Sequence, residues 1–250
     1  MSITSPLGRG YTERMPLVLV LDTSASMGYP AQAPRIAELN TALRDWFRDA
    51  AADPALRERL EVAIVTFDSE VRLLRLTGSS EPGAFSFVEN VTPPELCATG
   101  LTSMLAAMDA AMRLAIGRTA ELTAAGIPSR RPLVWLVTDG APSDADGQPV
   151  PDGEVAAAAA RLRDLAEETA DGPGCLCYAI GVGGADMTTL SALVPGPAIP
   201  LHDFSYRRIL GVVTESTVRQ GAGPATGEYE RTRQLADRAR RLRALGDEIG

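Results

Sequence analysis

Pro16-Leu-Val-Leu-Val-Leu-Asp22-Thr-Ser24-Ala-Ser26-Met-Gly28 is the stretch around which the chain is organised. Leu17 to Leu21 is an unbroken aliphatic run, too short to span a bilayer and too rich in valine for a convincing helix. It predicts a strand buried on both faces, as at the centre of a parallel sheet. The run ends on the carboxylate of Asp22, at the carboxyl end of the strand, where open α/β sheets place their sites. Two hydroxyls follow at alternate positions, Ser24 and Ser26, and then Gly28. One carboxylate and two neutral oxygens form a hard, oxygen-only set that suits Mg²⁺ or Mn²⁺ and lacks the nitrogen and sulfur donors zinc prefers. Alone, the same residues also read as a strand, an Asx or Ser turn and a helix cap. What lies downstream decides between the two.

The 250 residues suffice for one α/β domain with a substantial core, or for a domain plus a tail. A net charge of −8 and a pI near 4.8 argue against nucleic acid as a general partner. Every basic residue other than His202 is an arginine, and the chain contains no lysine. There is no apolar run of bilayer length and no basic-then-apolar leader, so neither a membrane span nor export is expected. The three cysteines have no framework spacing. Cys175 and Cys177 are read as pointing to opposite faces of a strand, as buried small hydrophobes and not a redox or zinc pair. A reduced, cytoplasmic compartment is the expectation.

Residues 1–14 read as a flexible N-terminal arm. A helix is predicted from Arg35 to Ala52, with Ile36, Leu39, Leu43 and Phe47 at helical spacing and Asp53-Pro54 as its stop. Glu61 to Phe67 is a second buried strand. Asp68-Ser-Glu70 turns it into a third, Val71 to Leu76, as an antiparallel hairpin with the third strand at an edge. Glu81 to Pro94 reads as a connector with a short helical stretch. A helix opens after Ala98-Thr99-Gly100-Leu101-Thr102-Ser103-Met104 and runs to about Leu122. Leu133 to Thr138 is another fully apolar strand, again ending on a carboxylate, Asp139. A helix over Glu154 to Asp171, a strand over Cys175 to Val182, a short helix to Val194, a strand over Ile199 to His202 and a helix over Tyr206 to Arg219 follow. This alternation predicts a doubly wound, mostly parallel, six-stranded α/β sheet of Rossmann-like type, with one antiparallel edge strand and helices on both faces. The domain is expected over residues 15–220. Residues 221–250 read as a linker and a C-terminal helix with Leu235, Leu242, Leu245 and Ile249 on one stripe. That stripe could pack on the domain, pair with another copy or bind a partner.

Three loops thus offer oxygen ligands: Asp22, Ser24 and Ser26 in the first, Thr102 in the second and Asp139 in the third. This constellation resembles the von Willebrand factor type A domain and its metal-ion-dependent adhesion site, whose pattern is Asp-x-Ser-x-Ser, then Thr, then Asp. Leu21-Asp22-Thr-Ser24-Ala-Ser26-Met-Gly28 matches the first element. Thr99-Gly100-Leu101-Thr102 matches the second, with Leu101 where a second glycine is common. Leu136-Val-Thr138-Asp139-Gly140 matches the third, and Tyr178 to Gly183 with Asp186 resembles the segment that follows. The resemblance covers about Pro16 to Gln220. Thr138 to Asp144 is most similar to small bacterial cytoplasmic members of the TerY type, which are associated with tellurite resistance and stress operons. The resemblance implies that Ser24, Ser26 and Thr102 ligate the metal through hydroxyls, with Asp22 and Asp139 binding directly or through water. It also implies the strand order 3-2-1-4-5-6. Three neutral ligands leave the ion net positive, so it seeks an external anion, a Glu or Asp of a protein partner. The implied function is therefore a metal-dependent protein-binding module and not an enzyme. Nucleic acid and membrane are not expected partners.

The alternative from another class is a Mg²⁺-dependent phosphohydrolase of the haloacid dehalogenase type, which also carries an Asp after its first strand. Those enzymes use Asp-x-Asp, and here the second position is Ser24; no lysine exists to hold the phosphate. An integrin-like adhesion receptor fits poorly with the expected lack of a leader and of disulfides. Asp144-Ala-Asp146-Gly147 reads as a solvated loop, since its glycine comes too early for a calcium loop. Gly181-Val-Gly183-Gly184 follows a late strand and lacks the third glycine in register for a dinucleotide. His202 reads as a loop or cap residue. Cys97 lies close to the Thr102 loop.

Overall fold

A computed structural model describes residues 12–76, 83–167, 174–201, 206–219, 227–234 and 237. The expected arm, His202 and the tail stripe from Leu235 onward lie outside these residues, apart from residues 12–14 of the arm. The elements in chain order are β1 (Met15–Asp22), α1 (Arg35–Ala52), β2 (Leu60–Phe67), β3 (Val71–Leu74), β4 (Ser86–Phe87), α2 (Met104–Ala124), β5 (Leu133–Thr138), α3 (Asp152–Ala166), β6 (Leu176–Val182), α4 (Met187–Leu193), β7 (Ala198–Leu201) and α5 (Tyr206–Arg219). The sheet runs β3-β2-β1-β5-β6-β7. β3 pairs antiparallel with β2, and every other step along that order is parallel.

The expected doubly wound sheet, its edge hairpin and its strand order are therefore present, with one strand more than the six expected. The added strand is β4, two residues long and antiparallel to β2 through Glu61–Phe87 and Val62–Ser86. It lies in the segment read as a connector, where a two-residue strand leaves no periodicity to see.

β1 is buried along its whole length because both its faces are covered. Alternate residues of a strand point to opposite faces. Leu17, Leu19 and Leu21 pack with Leu39, Leu43 and Phe47 of α1 and Leu210 and Val213 of α5. Val18 and Val20 pack with Met104, Met108 and Met112 of α2, Leu162 of α3 and Leu190 of α4. Trp46 Nε1 donates to Thr214 Oγ1 at 2.7 Å and ties α1 to α5. Cys175 and Cys177 share one face and sit in the second cluster, correcting the expectation of opposite faces. Residues two apart in extended chain share a side. Both thiols are buried and unbridged, as expected. α3 ends at Ala166, short of the expected Asp171.

In the parallel register Asp22 stands beside Phe67, and Leu21 stands beside Val137. The carboxyl ends of β1, β2 and β5 are thus neighbours, and Asp22, Asp68 and Asp139 leave the sheet at one edge. Among the described residues no helix is long and apolar enough to cross a membrane.

Candidate metal centre

β1 ends inside the core, so Asp22 is fully buried. Its Oδ1 accepts the Ser24 backbone N–H at 2.8 Å, which folds the chain back at the strand end. Its Oδ2 accepts the Thr138 hydroxyl at 2.5 Å, from the end of the adjacent strand. Burial pushes the Asp22 carboxyl up to about 6; hydrogen bonds from Ser24 and Thr138 pull it down, and the charge of Asp139 adds to the rise.

A short 3₁₀ turn, Ala25–Gly28, carries Ser26 next to Ser24. The Ser26 hydroxyl donates to Asp139 Oδ1 at 2.6 Å, which leaves it to accept from Ser24 Oγ at 3.0 Å. Ser24, Ser26 and Asp139 thus form one chain of oxygens, with Asp22 bonded to the backbone of its first member. Asp139 and Ser24 are buried, and Ser26 is exposed. The other oxygen of Asp139, Oδ2, accepts Arg35 Nη1 at 2.9 Å.

Thr102 reaches this edge through its loop. Ala25 N–H donates to Gly100 O at 3.1 Å, and Thr99 N–H donates to Thr23 O at 2.7 Å. On its far side, Thr102 N–H donates to Ser143 Oγ at 2.9 Å, and Ser143 N–H donates to Thr102 O at 3.1 Å. The three ligand-bearing loops are therefore stitched together by hydrogen bonds of their backbones. Gly100 takes φ +67°, and a Cβ there would lie 2.7 Å from Ser69 Oγ and 3.0 Å from Ser69 N. Gly100 is thus the glycine this loop requires. The departure at Leu101 is accommodated, with that side chain lying against Gly147.

One further carboxylate braces the loop. Asp68 accepts Arg72 Nη1 at 2.7 Å, the Glu70 N–H at 2.9 Å and the Thr99 hydroxyl at 2.9 Å. Burial alone would raise its pKa, but these donors hold it below the ordinary carboxylate value.

Among the described residues no three His, Cys, Asp or Glu side chains are grouped to hold a metal. The candidate set is instead two carboxylates and three hydroxyls, all hard oxygens, which fits a small divalent cation. The residues fit such an ion in a second respect. Asp22 and Asp139 follow from adjoining parallel strands and are linked through Ser24 and Ser26, so carboxylates and hydroxyls are already gathered at one place.

The von Willebrand factor type A domain family model matches residues 17–141. The chain belongs to that family. Solved structures of the same fold include a von Willebrand factor type A protein from Catenulispora acidiphila, 19% identical with a TM-score of 0.54, covering 83% of this chain and 43% of that one. The pilus adhesin SpaC of Lactobacillus rhamnosus GG is 13% identical with a TM-score of 0.57, covering 84% and 32%. The PilB minor pilin of Streptococcus sanguinis is 13% identical with a TM-score of 0.55, covering 88% and 65%. The chain spans less than half the length of the first two and about two thirds of the third. No curated protein matches it.

Within this von Willebrand factor type A domain, sequence reasoning overlooked three residues. Thr138, within the Leu136 to Gly140 motif, holds Asp22 in place. Ser143 holds the Thr102 loop. Arg35 is the third, and one signal pointed to it. It is the first residue of α1, where the helix dipole disfavours a cation. The Asp144 loop is self-capped, its Oδ1 accepting the N–H groups of Asp146 at 2.9 Å and Gln148 at 2.8 Å, as a solvated turn does. Asp186 caps α4, accepting from Thr188 and Thr189.

Proposed function

We propose that this von Willebrand factor type A domain is a metal-dependent protein-binding module. Ser24, Ser26 and Thr102 would hold a Mg²⁺ or Mn²⁺ ion through their hydroxyls, with Asp22 and Asp139 binding directly or through water. Once bound, such an ion supplies a Lewis-acidic centre for a Glu or Asp carboxylate of a partner protein. The observation that carries this reading is the chain of oxygens from Ser24 through Ser26 to Asp139, set against the buried Asp22. Where Asp22 and Asp139 bind through water, the direct ligands are neutral hydroxyls and the ion keeps its charge toward an incoming anion. A surface of net charge −8 would otherwise repel an acidic partner.

The phosphohydrolase alternative gains nothing from the site. Ser24 occupies the position of the second Asp, and its hydroxyl is engaged with Ser26. The finer reading is a bacterial, cytoplasmic TerY-type protein of a stress-response or tellurite-resistance complex. It rests on the Thr138 to Asp144 motif. The tail is a second candidate contact, for self-association.

The test is a pull-down from native extract in Mg²⁺ and in EDTA, followed by calorimetry of the captured partner with wild type and Thr102→Ala. Thr102→Ala should keep the fold, since its side chain is only half-buried. It should weaken Mg²⁺-dependent binding by about 1–3 kcal/mol, the loss of a polar contact in a desolvated site. Equal affinity in all four combinations would refute the metal-dependent contact.

A further inference from the structure

Arg35 enters the site from outside the ligand set, and the structure accommodates it from three sides. Its Nη1 pairs with Asp139 Oδ2 at 2.9 Å, on the carboxylate oxygen that Ser26 does not use. The same nitrogen lies 3.4 Å from Ser26 O. Its guanidinium also lies over Gly183, in the turn after β6. A Cβ at Gly183, where φ is +62°, would sit 2.8 Å from both Nε and Nη2, so a side chain there would displace the guanidinium from this position. The loop after β1, the end of β5 and the turn after β6 thus converge on one guanidinium. This cation also stands at the first position of α1, the positive end of the helix dipole, with no side-chain cap before it. Its pairing with Asp139 offsets that unfavourable placement.

We propose that Arg35 is a tethered counter-cation of the site, occupying Asp139 when no divalent ion is bound and setting how readily one is taken up. The proposal rests on the reading of Asp22, Ser24, Ser26, Thr102 and Asp139 as a divalent-cation site. Two positive charges that draw on one carboxylate compete, and competition is reciprocal: the tighter the arginine holds Asp139, the weaker the ion binds. Pairing also withdraws negative charge from Asp139. Arg35 therefore lowers the affinity of the site for a divalent ion. In the metal-free protein it relieves the repulsion between Asp139 and Asp22.

The experiment is isothermal titration with MgCl₂ alone on wild type, Arg35→Met and Arg35→Lys, with melting of each in EDTA. Methionine keeps an unbranched apolar stem and removes the charge. Lysine keeps the charge and loses the planar fork. Arg35→Met should bind Mg²⁺ about tenfold more tightly, within the usual range of coupling between two sites. It should also melt at a lower temperature in EDTA, and its Mg²⁺-induced rise in melting temperature should exceed that of wild type. Arg35→Lys should fall between the two and carries the test if the methionine variant does not fold. Equal Mg²⁺ affinity in wild type and both variants, or weaker binding in Arg35→Met, would overturn the role of Arg35 and leave the metal site standing. No heat of binding in any of the three would overturn the metal site itself, and with it this role.

Discussion

Asp22 shows what a single buried carboxylate does to the whole fold. Its folded pKa of about 6 lies above the unfolded value near 3.8, chiefly through burial. Between those values the folded state holds a proton that the unfolded chain has released. The contribution of Asp22 to metal-free stability is therefore full below about pH 4 and is lost as pH rises through about 6. The loss amounts to about 3 kcal/mol, since each pH unit between the two values costs about 1.4 kcal/mol. Asp22→Asn removes that charge and keeps the side chain's shape. In EDTA, urea unfolding should find variant and wild type alike near about pH 4, and the variant more stable by about 2–3 kcal/mol near about pH 8. A difference that does not change with pH would show that the Asp22 charge is not the cause. Most of this site was legible as residues, because Asp22, Ser24, Ser26 and Asp139 lie in two short motifs that follow apolar runs. Arg35 was not, because its contact with Asp139 joins residues 104 apart in sequence and exists only through the sheet order.

At the scale of elements, the loop from Cys97 to Ser103 depends on one backbone angle. Gly100 holds φ +67° with its α-carbon against Ser69, whose Oγ accepts the Leu101 N–H at 3.0 Å. Gly100→Ala imposes both a left-handed alanine and a Cβ 3.0 Å from a backbone nitrogen that belongs to the β2–β3 turn. It should destabilise the domain by about 1–3 kcal/mol, the usual cost of a strained non-glycine residue. It should also weaken Mg²⁺ binding, because this loop delivers Thr102. Denaturant unfolding and Mg²⁺ titration of the variant check both; wild-type values in both would refute the required conformation. Elements with long periodic patterns were readable from sequence: α1 spans Arg35–Ala52 and β5 spans Leu133–Thr138, as expected. β4 was not, since a two-residue strand is defined by its partner β2 and by no pattern of its own. The faces of Cys175 and Cys177 were legible and were misread, as strand periodicity alone gives them.

At the scale of the molecule, the parallel sheet gathers its carboxylates at one edge. β6 pairs with β7 only from Ala179 onward, so its first residues lack that neighbour. Residues 227–234, helical and beyond the matched segment, reach this region. The Tyr229 hydroxyl accepts the Cys177 N–H at 3.4 Å, its ring packs edge-on against Tyr178, and Thr232 Oγ1 donates to the Tyr178 hydroxyl at 3.2 Å. The start of the tail thus covers an open strand edge, a liability in any sheet. Its contacts are far in register from the carboxyl ends that carry Asp22 and Asp139. A metal at those ends should then act on global stability through Asp22, Asp139 and the loops they anchor, not through the tail. An ion that binds only the folded state stabilises it by mass action. For a dissociation constant on the order of 0.1 mM, about 1 mM Mg²⁺ contributes roughly 1.4 kcal/mol. In a domain of this size that raises the melting temperature by about 3–6 °C. NaCl at matched ionic strength should not reproduce the rise, because Asp22 and Asp139 are buried, where salt screens charges little, and Na⁺ supplies no divalent ligand-bound charge. Asp22→Ala should abolish it, since the alanine removes a candidate ligand as well as the repulsion. Scanning calorimetry of wild type and Asp22→Ala in MgCl₂, matched NaCl and EDTA separates these effects. A Mg²⁺ rise that survives in Asp22→Ala would mean that the ion stabilises the fold from somewhere other than this edge.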